Sequence, residues 1–330
     1  MVSAIPLPRD RKMKAIVQVR YGSPDGLVLR EIEKPVVGDD RVLVRVRAAS
    51  VNAADWHLMR RLPHLIGMLL RMPRTSVRGG DLAGHVEAAG KNVTRFKPGD
   101  EVFGVGIGSF AEYATASEDR LAPKPRNLTF EQAAAIPCAG CTALQGLRDK
   151  GQVKAGQRVL IYGAGGGVGT FAVQIAKSLG AFVTAVTSTR NLDLVHSIGA
   201  DEAIDYTRED FTRRAQRYDV LFDIGADRSY MDCQRVLAPN GRLVLCGAPS
   251  GLWTPLWRLL KAQLTSRAGS QRLTFLARVR HGDLVVLKEL VETGKLSPVI
   301  DRVYPLSEVP DALRYLGTRQ VRGKVVISVT

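Results

Sequence analysis

The chain has 330 residues, 45% of them apolar, four cysteines and a formal charge of +15, enough length for two ordinary domains around a large core. No run of 18 apolar residues appears and no charged-then-apolar signal pattern opens the chain, so the expectation is no membrane span, no export and a cytoplasmic protein with reduced cysteines. The basic residues cluster at Arg60 to Arg78, Arg213 to Arg217 and Arg267 to Arg280, but no nucleic-acid motif or aromatic interleaving accompanies them, which argues against a nucleic-acid partner and for a surface that attracts anionic ligands.

After a polar arm over residues 1–12, Met13 to Val19 and Leu27 to Ile32 read as two strands joined across Tyr21 to Gly26. Arg41 to Ala48 alternates apolar and basic residues, the period of a half-exposed strand. Strand-and-turn patterns continue to about residue 122, as expected of a small, partly open barrel. The segment Trp56 to Arg78 is apolar enough to form a helical cover over a substrate site. At Thr129-Phe130-Glu131-Gln132 the pattern changes to a capping box and a helix near Ala133 to Ile136, followed by a second helix from Ala139 to Lys150. Short apolar strands then alternate with helical patterns: Val159 to Tyr162, Phe182 to Thr187, Ala203 to Tyr206, Asp219 to Asp223 and Arg242 to Gly247. That alternation predicts a doubly wound parallel α/β sheet. Helices are expected at Leu192 to Ile198, 252–264, Leu284 to Thr293 and Glu308 to Leu316, with strands at Arg272 to Val279, Val299 to Tyr304 and Lys324 to Val329.

Between the first of these parallel strands and its helix lies Gly163-Ala164-Gly165-Gly166-Gly167-Val168-Gly169. A strand, a glycine turn and a helix in that order aim backbone N–H groups and a helix N-terminus at a pyrophosphate. This makes the turn the candidate dinucleotide site. The next strand ends in Thr187-Ser188-Thr189-Arg190, without the carboxylate that accepts the ribose hydroxyls of NADH. Hydroxyls and a guanidinium there suit a 2′-phosphate, so the expected cofactor is NADPH.

With these motifs in view the chain resembles the medium-chain dehydrogenase/reductase superfamily, in its zinc-free quinone oxidoreductase branch. The resemblance rests on Ser50 to Asp55, Gly80 to Gly84, Pro98-Gly99-Asp100, Gly108 to Tyr113, Ala139 to Leu144, the glycine turn, Gly199-Ala200-Asp201, Ile204-Asp205-Tyr206 and Gly323 to Val326. It implies a β-rich, GroES-like catalytic domain (1–124), an inserted Rossmann domain for NADPH (125–282) and a return to the catalytic domain (283–330). It also implies that Tyr206 closes over the extra phosphate, that Thr142 stands beside the nicotinamide and that Gly247 lets a sheet loop approach it. Asn191 stands where some relatives carry Lys, which would shift the positive charge to Arg190.

In zinc-dependent relatives Cys, His and Cys hold the catalytic metal; the matching positions here are Asn52, Gly80 and Cys138, and no metal is expected. Asn52 is then the candidate hydrogen-bond donor, with Asp55 orienting its loop. Lys324 reads as a surface lysine, with a reach into the cleft as the alternative, His57 and His64 as surface or cleft-wall residues, and Cys138 as a small core residue, with a reactive thiol near the cofactor as the alternative. The implied reaction is hydride transfer from NADPH to an apolar electrophile, a quinone or an enone. A zinc-free carbonyl reductase or secondary-alcohol dehydrogenase, or an NADPH-binding protein with an interaction role, are the alternatives. Relatives are often homodimers, and the proton donor is left open among Tyr113, His57 and water.

Overall fold

The structure, a computed structural model, describes residues 12–61, 76–225, 228–246 and 271–329. The chain divides into two compact units, Met1–Cys138 with Val279–Glu289 and Ile300–Thr330, and Ala139–Arg278 with Leu290–Val299.

The first unit is built on strands β1 (Lys12–Gln18), β2 (Leu27–Glu33), β3 (Val42–Val51), β4 (Ser76–Val77), β5 (Asp81–Ala89), β6 (Glu101–Val105), β7 (Tyr113–Ala116) and β8 (Leu121–Pro123). Helix α1 (Ala53–Arg61) follows β3, and α2 (Phe130–Ala134) opens with the expected capping box, Thr129 and Gln132 each bonding the other's backbone N–H. Arg45 and Arg47 in β3 stay exposed while their apolar neighbours are buried, as the alternating pattern requires.

The second unit starts with α3 (Pro137–Leu144), whose first residues belong to the first. The helix expected over Ala139 to Lys150 widens to a π-helix from Gln145 to Lys150. There Gly146 lies flat on the Phe222 ring, where an added Cβ would come to 2.6 Å of the ring. Then β9 (Arg158–Tyr162), α4 (Gly167–Ser178), β10 (Phe182–Thr187), α5 (Leu192–Ser197), β11 (Glu202–Asp205), β12 (Tyr218–Asp223), α6 (Tyr230–Arg235), β13 (Leu237–Cys246) and β14 (Gln271–Phe275) alternate. The last of these ends at Phe275, short of the expected Val279. Among the described residues the sheet is all parallel in the order β11-β10-β9-β12-β13-β14, which reverses direction between β9 and β12. In such sheets ligands bind where the order reverses, at the carboxyl ends of the strands.

Helix α7 (His281–Glu292), strand β15 (Ile300–Pro305), helix α8 (Val309–Gly317) and strand β16 (Lys324–Ser328) complete the chain. β16 pairs antiparallel with β3, and β15-β16-β3-β5-β6-β8 form one sheet of the first unit, with β7 also on β3. That pairing brings the chain's end back to residues 48–51. The core of this unit joins Val44, Leu82, Phe110, Leu313 and Val325 from distant parts of the sequence. The arm over residues 1–11, most of the expected cover (62–75, with His64), the expected helix at 252–264 and Gly247 lie outside the described residues.

Candidate active site

Asn52 is the residue before α1, and Asp55 lies in that helix's first turn. The backbone N–H of Asn52 donates to Asp55 Oδ2 at 2.8 Å, the half of a capping box in which the third helical residue reaches back. The other half is missing because the Asn52 side chain is used elsewhere. Its Nδ2 donates to Asp81 Oδ2 at 2.9 Å and, at a long 3.4 Å, to the Ser50 carbonyl. Its Oδ1 accepts from Lys324 Nζ at 2.6 Å.

Asp81 opens β5 and is 1% exposed. It receives the Ser50 hydroxyl at 2.8 Å, the Asn52 amide and the backbone N–H of Cys138 at 3.1 Å, and Lys324 Nζ lies 3.8 Å away. Burial pushes its carboxyl above the usual range; Lys324 and these donors oppose the push. Every neighbour that bonds it is a donor, which is the environment of a carboxylate.

Lys324 is the correction here. It is 3% exposed, not a surface lysine, and bonds the Val51 carbonyl at 3.0 Å as well as Asn52. The pairing of β16 with β3 sets Val325 against Val51 and so carries Lys324 into this cluster. Asp81 and Ser50 are site residues that sequence reasoning passed over, and Lys324 is one for which it preferred the surface to the cleft. A lone acid and a lone base 243 positions apart carry no local signal.

Burial pushes the Asp55 carboxyl up to about 7, with Asp81 adding repulsion against the pull of the Asn52 N–H, Lys324 and Arg78. An unfolded chain titrates this acid near ~4. The folded protein therefore holds the proton more tightly, and this group's contribution to stability falls as pH rises from about 4 to about 7. Asp55→Asn removes the titration yet keeps an acceptor for the Asn52 N–H. Urea midpoints of parent and variant at pH 5 and pH 8 should show the variant gaining on the parent at the higher pH. A difference that stays constant with pH would contradict the shifted acid.

The metal positions do not fit zinc. Asn52 is an amide committed to Asp81 and Lys324, Gly80 has no side chain, and Cys138 is a single thiol, whereas a catalytic zinc takes three protein ligands. Among the described residues no three His, Cys, Asp or Glu side chains gather closely enough to hold a metal ion. His57 lies exposed on α1. None of the four cysteines is joined in a disulfide, and burial pushes Cys246 up to about 12.

In the second unit, Gly163 ends β9 with φ +88°, in the left-handed region glycine favours. Ala164 is buried, Gly166 precedes α4 without a side-chain cap, and Gly167, Val168 and Gly169 form its first turn. A Cβ on Gly169 would sit 2.2 Å from the Gly163 carbonyl oxygen, so this glycine permits the close crossing of helix and strand. A Cβ on Gly166 would meet only that oxygen, at 3.6 Å. Open space above Gly166 and uncapped N–H groups behind it fit a pyrophosphate.

Ser188 is half-buried, and Thr189 and Arg190 are exposed in the turn after β10. Asp205, which ends β11 beside Thr187, accepts the Thr189 hydroxyl and, from Thr207, both hydroxyl and backbone N–H. These bonds, the Thr189 hydroxyl foremost, hold its carboxyl below the usual range. Its oxygens are thus taken, while Arg190 and Arg208 each follow a strand end by the same three residues. Tyr206 is 42% exposed and meets Tyr162 edge-on, ring centres 6.3 Å apart. Asn191 is buried behind the turn, its Nδ2 facing Gly165. Thr142 lies buried on α3.

A family profile described as the alcohol dehydrogenase GroES-like domain matches residues 38–126, and one described as zinc-binding dehydrogenase matches 198–327. An NADPH-dependent alkenal/one oxidoreductase of Arabidopsis thaliana, described as chloroplastic, is 37% identical over 96% of this chain and 80% of its own length. A chloroplastic quinone-oxidoreductase homologue of Spinacia oleracea is 32% identical over 96% of this chain and 98% of its own. The structure of a quinone oxidoreductase from Coxiella burnetii superposes with a TM-score of 0.87 at 31% identity, over 97% of this chain and all of that one. The plant names overturn the cytoplasmic expectation: these relatives are organellar enzymes. The sequence pattern spoke only to secretory signals, and transit peptides have a different, basic and Ser-rich composition. No helix among the described residues is long and apolar enough to cross a membrane.

Proposed function

This chain belongs to the medium-chain dehydrogenase/reductase superfamily, in its quinone and alkenal/one oxidoreductase branch, and from that premise we propose that it reduces quinones or the activated C=C bonds of enones with NADPH and without a catalytic metal. The observation that carries the reading is the Lys324–Asn52–Asp81 chain at the place where zinc-dependent relatives hold their metal.

Bound at the glycine turn, a reduced nicotinamide dinucleotide supplies the hydride. Gly166 to Gly169 would hold its pyrophosphate, and Ser188, Thr189 and Arg190 its extra phosphate, with Tyr206 over them. The acceptors of this class develop negative charge on a carbonyl oxygen as they are reduced. A metal is one way to stabilise that charge; aimed hydrogen-bond donors are another. Lys324, donating to Asn52 Oδ1, polarises the amide and makes its N–H groups stronger donors. One of those N–H groups is held firmly by Asp81, the other only by the 3.4 Å contact to Ser50. The second is the one Asn52 shares with the developing oxyanion. Asp55 fixes the Asn52 backbone, and Thr142 would stand beside the nicotinamide.

The test is steady-state NADPH and NADH oxidation with a quinone, an enone and a simple ketone after exhaustive chelation, for the parent and Arg190→Ala. Quinone and enone should turn over unimpaired by the chelator, with the ketone inert. Arg190→Ala should raise KM for NADPH about ten- to a hundredfold, the worth of a charged hydrogen-bond pair, and leave NADH nearly unchanged. Activity that needs zinc restored, or equal effects on the two nucleotides, would remove the corresponding part of the reading.

A further inference from the structure

The first unit carries an open groove of about 450 Å³ that the reductase chemistry leaves unused. Arg45, Arg47, His85 and Glu87 line it, and Pro98 and Gly99, in the turn before β6, form one wall. The Gly99 N–H donates to the Val86 carbonyl at 2.8 Å and the Val86 N–H to the Asp100 carbonyl at 2.9 Å, which pins that turn to β5. A Cβ added at Gly99 would meet nothing within 4 Å, so the wall faces open space. A volume of this order is that of a small-molecule site.

Arg45 and Arg47 are exposed on one face of β3 because Val44 and Val46 turn into the core. The register with β5 shifts between Val46 and Ala48, so Arg47 is the extra residue of a bulge, a device that re-aims a side chain. Neither guanidinium makes a hydrogen bond or ion pair among the described residues. The acids nearby are already engaged. Glu87 pairs with Lys34 Nζ at 2.7 Å, and Asp100 accepts the Lys97 N–H at 2.9 Å. Glu101 lies 3.2 Å from Lys124 Nζ and 3.7 Å from His85 Nε2, while the His85 ring rests on Phe130 with centres 4.9 Å apart. Two like charges on one strand face repel, and an anion that engages both relieves the repulsion. Arg45 pairs with His85 in the ladder where Ser50 pairs with Asp81, which sets the groove about 15 Å along the strands from the Asn52 cluster.

We propose that this groove is a second ligand site, which takes the phosphate group of a small phosphate monoester between Arg45 and Arg47. A phosphate monoester offers three terminal oxygens, enough to engage both guanidinium forks, where a carboxylate has two. The proposal is independent of the reductase reading.

The test is calorimetric titration of glycerol 3-phosphate into the enzyme holding one equivalent of NADPH, so that the nucleotide site is already filled. The parent is compared with Arg45→Gln, Arg47→Gln, the double variant Arg45→Lys, Arg47→Lys, and Arg30→Gln. Arg30 is exposed on β2, away from the groove lining, and its loss removes the same charge elsewhere. The parent should bind saturably, and each groove glutamine should weaken binding about ten- to a hundredfold, the worth of a charged hydrogen-bond pair. The double lysine variant keeps the charge without the forks and should retain only part of the affinity. Arg30→Gln should change it less than about threefold, as a screened distant charge does. Thermal melts and quinone turnover should match the parent in every variant, since these side chains are exposed. No saturable binding by the parent, equal weakening by Arg30→Gln, or binding untouched by both groove glutamines would overturn the proposal. Vesicles containing phosphatidic acid distinguish the source of the phosphate: binding to the vesicles and not to free glycerol 3-phosphate would overturn the small-molecule assignment.

Discussion

Lys324→Met is expected to lower stability by about 3–5 kcal/mol, the usual cost of leaving one member of a buried charge pair alone. Asp81 is 1% exposed and Lys324 3%, so water cannot take the lost partner's place. The substitution keeps the length of the stem but removes the ammonium that bonds Val51 and Asn52 and faces Asp81. For a unit of this size the loss corresponds to a fall of about 6–20 °C in Tm. The double variant Asp81→Asn, Lys324→Met distinguishes charge from packing. Without the acid there is no stranded charge, so the double variant should be more stable than Lys324→Met alone. Calorimetry of the four proteins makes a double-mutant cycle. Additive effects would show that Lys324 is held there for reasons other than Asp81.

The two glycines of the nucleotide turn should fail differently. Gly166→Ala is expected to fold as the parent does, since its backbone (φ −88°) suits alanine and the new methyl meets only one atom, at 3.6 Å. The methyl enters the space where a pyrophosphate approaches the first turn of α4, and loss of a charged hydrogen bond there should weaken dinucleotide binding by about ten- to a hundredfold. Gly169→Ala puts its methyl 2.2 Å from the Gly163 oxygen and 2.6 Å from Ala164, both backbone, which cannot step aside. Its cost should be mainly in stability, about 1–3 kcal/mol or more, with affinity lost only as helix and strand separate. Titration of cofactor fluorescence and thermal melts of the two variants check this division. A stable Gly169→Ala, or a Gly166→Ala that binds as tightly as the parent, would contradict the geometry.

Much of this protein was readable from local chemistry. The capping box at Thr129 and Gln132, the alternation in β3 and the apolar strands of the parallel sheet form because neighbouring residues impose them. The glycine turn is of the same kind: Gly163 and Gly169 are needed where a strand turns and a helix crosses it closely, all adjacent in the chain. Even the missing metal ligands at Asn52 and Gly80 could be read from their motifs.

What surrounds Asn52 could not. Lys324 reaches it from 272 residues away and Asp81 from 29, and both arrive only because β16 and β5 flank β3 in one sheet. A single lysine before an apolar strand looks like a solvated end, since most lysines are. Only strand register decides whether its ammonium meets water or a buried carboxylate. Short-range sequence thus determined the elements and the nucleotide turn, because their energies are local. The charges of the site were decided by the tertiary structure, because desolvation depends on everything packed around a group.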